Sequence, residues 1–155
     1  MTRTFDGPAG PSRGGRDEPA PEGAAIQPGV ARPAAPRILV VDTDRALLGL
    51  LEEWLAVAGY EVVSDQSHDG ALDAPQTPFT LVIVDVPHPR RGGGGLLQRI
   101  ARQHPGTPIL ALSSTFFSGI ESTGGVARTL GAACVLPKPV ARESLIAAVQ
   151  SLLCR

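Results

Sequence analysis

RILVVDTD, residues 37–44, decides how the rest of the chain reads. Residues 38–41 are four β-prone apolar side chains in an unbroken run, closed by the polar turn Asp42-Thr43-Asp44. A strand that is apolar on both faces belongs inside a parallel sheet covered by helices on both sides. The residues that follow agree. Leu47, Leu48, Leu51, Leu55 and Ala58 recur at helical spacing, and Gly59 is the residue type favoured just past a helix end. Asp44 stands directly before that stripe, where a short acceptor side chain caps a helix N-terminus.

Further short apolar runs occur at 61–63, 81–84, 109–112 and 134–136. Helical stripes lie between and after them, at Leu96, Leu97, Ile100 and Ala101, and at Leu145, Ile146, Val149, Leu152 and Leu153. The pattern predicts an α/β repeat of five strands in a parallel sheet. Two crossovers are irregular. Residues 68–78 contain Gly70, Pro75 and Pro78, which leaves room only for a short helix. Residues 113–125, SSTFFSGIESTGG, form a polar loop before a brief helix near 126–130.

Composition divides the chain in two. Residues 1–36 hold seven Pro, six Gly, four acids and four Arg, with Phe5, Ile26 and Val30 as the large apolar residues. Such a segment buries too little surface to offset its chain entropy, so a disordered tail is expected there. Residues 37–155 are enough for one domain.

A formal net charge of −1 supplies no general field for nucleic acid or anionic membranes. No apolar run approaches the ~18 residues of a membrane span. The opening residues also lack a signal-peptide pattern, so the expected location is the cytoplasm. Cys134 lies in an apolar stretch and reads as a small buried thiol, and two cysteines make neither a disulfide framework nor a zinc site. His68, His88 and His104 have no metal-ligand spacing. Of the 14 basic residues, a single one is lysine, Lys138.

In open parallel sheets, sites form at the carboxyl ends of the strands. Those ends carry Asp42-Thr43-Asp44, Asp85, Ser113-Ser114 and Pro137-Lys138-Pro139. Clustered carboxylates repel unless a hard cation holds them, and magnesium is such a cation. A neighbouring ammonium would balance a phosphoryl group.

The segments RILVVDTD, LVIVDVPHP followed by Gly93, PILALSS and GAACVLPKP resemble the receiver domain of two-component response regulators, over essentially all of 37–155. Pro89 lies four residues after Asp85 and Gly93 eight; Lys138 lies seven after Gly131, and Ser113 five after Pro108. The resemblance implies a flavodoxin-like sheet of order 2-1-3-4-5 with helices on both faces. It implies that Asp85 is the nucleophile taking a phosphoryl group from a histidine kinase or phosphotransfer protein. Asp42, Asp85 and the backbone carbonyl of Pro87 would hold Mg2+, with Thr43 or Asp44 as a further candidate ligand. Lys138 would pair with the phosphoryl oxygens, Ser113 would hydrogen-bond them, and the Lys138–Pro139 peptide would be cis.

The chain departs from the family at several positions. Thr43 replaces the second acid after strand 1, which removes a negative charge and predicts weaker magnesium binding. Val135 stands where many receivers carry an aromatic residue that turns inward on activation. His88 replaces an apolar residue before Pro89.

No output domain is expected after the last helix, so signalling would run through contacts of the domain's own surface, from Ile120 to Arg155, with an unknown protein target. Such a phosphoacceptor is not a conventional enzyme. The alternative is a receiver-like adaptor that binds partners without phosphorylation. A third reading takes Asp42-Thr43-Asp44 as the D-x-D opening of a haloacid-dehalogenase-type phosphatase. That enzyme needs an acidic pair after the lysine, where this chain offers Glu143.

Overall fold

The computed structural model describes residues 34–67, 78–87, 94–116 and 124–154, together with Gly7. Several expectations fall outside the described residues: nearly all of the tail at 1–36, the short helix within 68–78, His88, Pro89, Gly93, and the loop at 117–123.

The described elements run β1 (Arg37–Val41), α1 (Arg45–Val57), β2 (Glu61–Asp65), β3 (Leu81–Asp85), α2 (Gly94–Gln103), β4 (Ile109–Ser113), α3 (Gly125–Leu130), β5 (Cys134–Pro137) and α4 (Arg142–Leu153). All four strand pairings are parallel, in the order β2-β1-β3-β4-β5. The sheet is the flavodoxin-like one expected. Every strand is longer than its apolar run, by a residue at the start of β1 and by one or two at the ends of the others. Main-chain pairing continues beneath polar side chains, which an apolar run does not register.

Alternation along the strands sorts the core onto two faces. Ile38, Val40, Leu81, Ile83, Leu110, Leu112, Cys134 and Leu136 face one side. There they meet Leu48, Leu51 and Leu55 of α1 and Leu145, Val149 and Leu152 of α4. Leu39, Val41, Val82, Val84, Ala111 and Val135 face the other side, against Leu96, Leu97 and Ile100 of α2 and Ala127 of α3. Each fully buried leucine or isoleucine contributes about 1.5–3 kcal/mol before entropy is subtracted.

The ends of α1 show why the helix starts and stops where it does. Asp44 is the N-cap, its carboxylate accepting the Ala46 and Leu47 N–H groups. At the other end Gly59 takes φ +92°. Its N–H donates to the Ala56 carbonyl and the Tyr60 N–H to the Leu55 carbonyl, so the last carbonyls are satisfied before β2 begins. Gly131 closes α3 in the same left-handed region, at φ +79°.

Candidate functional site

The chain steps from β2, past β1, to β3, so the strand order reverses between β1 and β3. In a doubly wound sheet a ligand crevice opens at that reversal, beyond the strands' carboxyl ends. Asp42 follows β1 and Asp85 ends β3, on either side of it. β5 delivers the third group, since Lys138 follows its last residue.

The three side chains meet. Lys138 Nζ donates to Asp42 Oδ2 at 2.8 Å and lies 2.8 Å from Asp85 Oδ1. The other oxygen of Asp42, Oδ1, accepts the Asp44 N–H at 2.8 Å. Asp42 is therefore a fully engaged, buried carboxylate. Asp85 is the more accessible of the two, its side chain 12% exposed against 2% for Asp42. Burial pushes the Lys138 ammonium toward losing its proton, but the bonds to Asp42 and Asp85 and their two charges outweigh burial and hold its pKa above the ordinary lysine value. The peptide from Lys138 to Pro139 is cis, as expected.

Ser113 ends β4 one residue beyond Leu112, the register partner of Asp85, and is wholly buried. Its carbonyl accepts the Lys138 N–H at 3.0 Å, so the hydroxyl-bearing and lysine-bearing strands are tied at the site. Its hydroxyl is paired with Thr115 Oγ1 at 3.0 Å and accepts the Thr115 N–H at 3.3 Å. Thr43 and Pro87 are exposed, Thr43 beside Asp42 and Pro87 two residues past Asp85. Asp44 spends Oδ1 on its helix cap. Glu143 lies on the exposed first turn of α4.

Three neighbours of the site went unnoticed in the sequence. Asp65 is buried at the end of β2, its carbonyl accepting the Asp42 N–H at 3.2 Å. Its Oδ1 accepts from the Ser67 N–H and hydroxyl, and among the described residues its Oδ2 has no hydrogen-bond partner. Extending the second apolar run by two residues would have put it among the strand ends. Thr115 is visible only as a hydroxyl two positions after Ser113. Phe116 is the third; it is buried in the same core layer as Val135 and Ala127, its N–H donating to the Ser113 carbonyl at 3.4 Å.

The donors present fit a magnesium ion. Mg2+ keeps several waters and takes one or two carboxylates together with phosphate oxygens. Asp42 and Asp85 converge closely enough to share one ammonium, so both can face one cation. Among the described residues no third acid joins them in a metal-binding cluster.

The family model of the response regulator receiver domain matches residues 38–150. The chain belongs to the response regulator receiver family. This receiver is 33% identical over 119 residues to the transcriptional regulatory protein CpxR of Escherichia coli, a match covering 77% of the chain and 50% of CpxR. It is 40% identical over 123 residues to the response regulator MprA of Mycobacterium avium, covering 77% of the chain and 51% of MprA. The chain thus spans about half the length of these relatives. Among solved structures, the chemotaxis protein CheY4 of Vibrio cholerae is similar at TM-score 0.62 and 28% identity, over 77% of this chain and 100% of that one.

Receivers are phosphoacceptor signalling modules of two-component systems rather than conventional enzymes. They work with histidine kinases and downstream effectors, and generally with Mg2+ at acids near the phosphoacceptor. Among the described residues, no helix is long and apolar enough to cross a membrane.

Proposed function

We propose that Asp85 of this receiver accepts a phosphoryl group from a histidine kinase or phosphotransfer protein and that the resulting change is read by a protein partner. The observation that carries this reading is the single ammonium of Lys138 shared by buried Asp42 and accessible Asp85. A carboxylate nucleophile must be reached from outside, and of the two Asp85 is the one that is. In the transfer, an Asp85 oxygen attacks phosphorus. The new P–O bond forms as the P–N bond to the donor's histidine breaks, and the imidazole leaves with its electron pair.

Lys138 is placed to neutralise charge on the phosphoryl oxygens, and its raised pKa keeps it cationic for that work. In this reading Ser113 turns its hydroxyl to donate a hydrogen bond to the same group. Asp42, Asp85 and the Pro87 carbonyl are the residues to hold Mg2+, with Thr43 or Asp44 beside them. When bound, the ion supplies charge neutralisation between the carboxylates and the incoming phosphoryl group. A cytoplasmic setting suits this reading, since two-component phosphoryl donors act there.

Incubation with acetyl phosphate and magnesium, followed by intact mass, tests the proposal. Wild-type chain gains one phosphoryl mass, acetate being the leaving group, and Asp85→Asn does not. Absence of a gain even at high magnesium would favour the adaptor that binds partners unphosphorylated, which the neutral Thr43 and the non-aromatic Val135 also favour.

A further inference from the structure

We infer that Thr115 is a positioning residue: its hydroxyl is the resting-state acceptor for the Ser113 proton, and it sets how readily Ser113 turns to a phosphoryl group on Asp85. The inference rests on Asp85 being the phosphoacceptor.

Ser113 is wholly buried, so water cannot take its hydroxyl proton. A buried hydroxyl needs a partner, and leaving one unpaired is costly. Among the described residues its oxygen has two contacts, the Thr115 N–H at 3.3 Å and the Thr115 hydroxyl at 3.0 Å. An N–H only donates, so it occupies a lone pair of Ser113 Oγ and leaves the proton unplaced. The proton therefore goes to Thr115 Oγ1. Thr115 is exposed, and its own proton is free to point to solvent. The direction of the hydroxyl pair follows from this difference in burial.

A phosphoryl group on Asp85 presents three acceptor oxygens at the same sheet edge. For Ser113 to donate to one, its proton must leave Thr115. The two acceptors compete for one proton, and the exposed threonine gives it up at little cost because water replaces it. Removing the threonine acceptor strands the Ser113 proton in the resting state alone, so the equilibrium moves toward the phosphoryl-bound state. The backbone contact from the Thr115 N–H survives any side-chain change.

The test uses the full chain and the phosphoryl stand-in beryllium trifluoride with magnesium, its half-saturation followed by NMR. Thr115→Val keeps the shape and removes the acceptor, and tightens binding about five-fold, the size of one neutral hydrogen bond. Thr115→Ser restores the wild-type value, which a merely structural role would not explain. In a Ser113→Ala background the effect of Thr115→Val disappears. Equal or weaker binding by Thr115→Val, or an unchanged effect in the Ser113→Ala background, overturns the inference while leaving the phosphoacceptor reading intact. Failure of wild-type chain to bind the stand-in, together with no phosphoryl gain from acetyl phosphate, overturns both.

Discussion

Lys138 Nζ donates to Asp42 Oδ2 at 2.8 Å across 96 residues of chain, joining the end of the last strand to the end of the first. The pair lies beyond the ends of β1 and β5, and the ammonium also reaches Asp85, at the end of β3, at 2.8 Å. One cation thus offsets the mutual repulsion of two carboxylates.

That arrangement has a pH signature. The Lys138 pKa is raised in the folded state. Its contribution to stability is complete below the unfolded-chain lysine value, about 10.4, and is lost as pH rises through the higher folded value. Thermal unfolding of wild type and Lys138→Met is expected to show a gap favouring wild type at neutral pH that closes above about pH 10.4. A gap constant into that range would refute the assignment.

Restoring an acid at position 43 tests the metal site. Thr43 is exposed beside Asp42, and a carboxylate there adds a charged ligand. Thr43→Asp is expected to raise magnesium affinity on the order of ten-fold, read by calorimetric titration. An unchanged affinity would show that the missing charge is not what limits binding.

The Asp44 carboxylate accepts the Ala46 N–H at 2.9 Å and the Leu47 N–H at 3.2 Å. Asp44→Ala is expected to cost about 1 kcal/mol in urea denaturation, and Asp44→Ser to recover most of it. If capping is its whole role, magnesium affinity is the same in Asp44→Ser as in wild type; a drop would assign it to the metal.

Two glycines have opposite expected signs. Gly131 holds φ +79° at the end of α3, where an alanine Cβ costs about 1 kcal/mol. Gly49 lies inside α1 with open space around it, so Gly49→Ala gains about 1 kcal/mol. Denaturation midpoints of the two variants should therefore move in opposite directions from wild type.

The strands and helices were legible because apolar side chains recur at the period their backbone imposes. The run at 38–41 and the stripe from Leu47 to Ala58 are examples, becoming β1 and α1. Strand ends were less legible. β2 runs through Ser64 and Asp65, because parallel pairing to Val40 and Val41 of β1 is made by main-chain groups whatever the side chain. Asp65, buried at the end of that strand, escapes an apolar-run reading for that reason.

Asp42, Asp85, Ser113 and Lys138 could be picked out one by one, since each follows or ends an apolar run. Which atoms meet could not. That Lys138 bonds both carboxylates and Ser113 bonds Thr115 depends on strand order, register and the direction of each side chain at the sheet edge. The α/β repeat and the residue types at the strand ends follow from local periodicity and chain order, both of which are written in the sequence. That Asp42 is the engaged, buried carboxylate and Asp85 the more exposed one emerges from the assembled strand ends. Burial and pairing are set by groups far apart in the chain, and no local pattern encodes them.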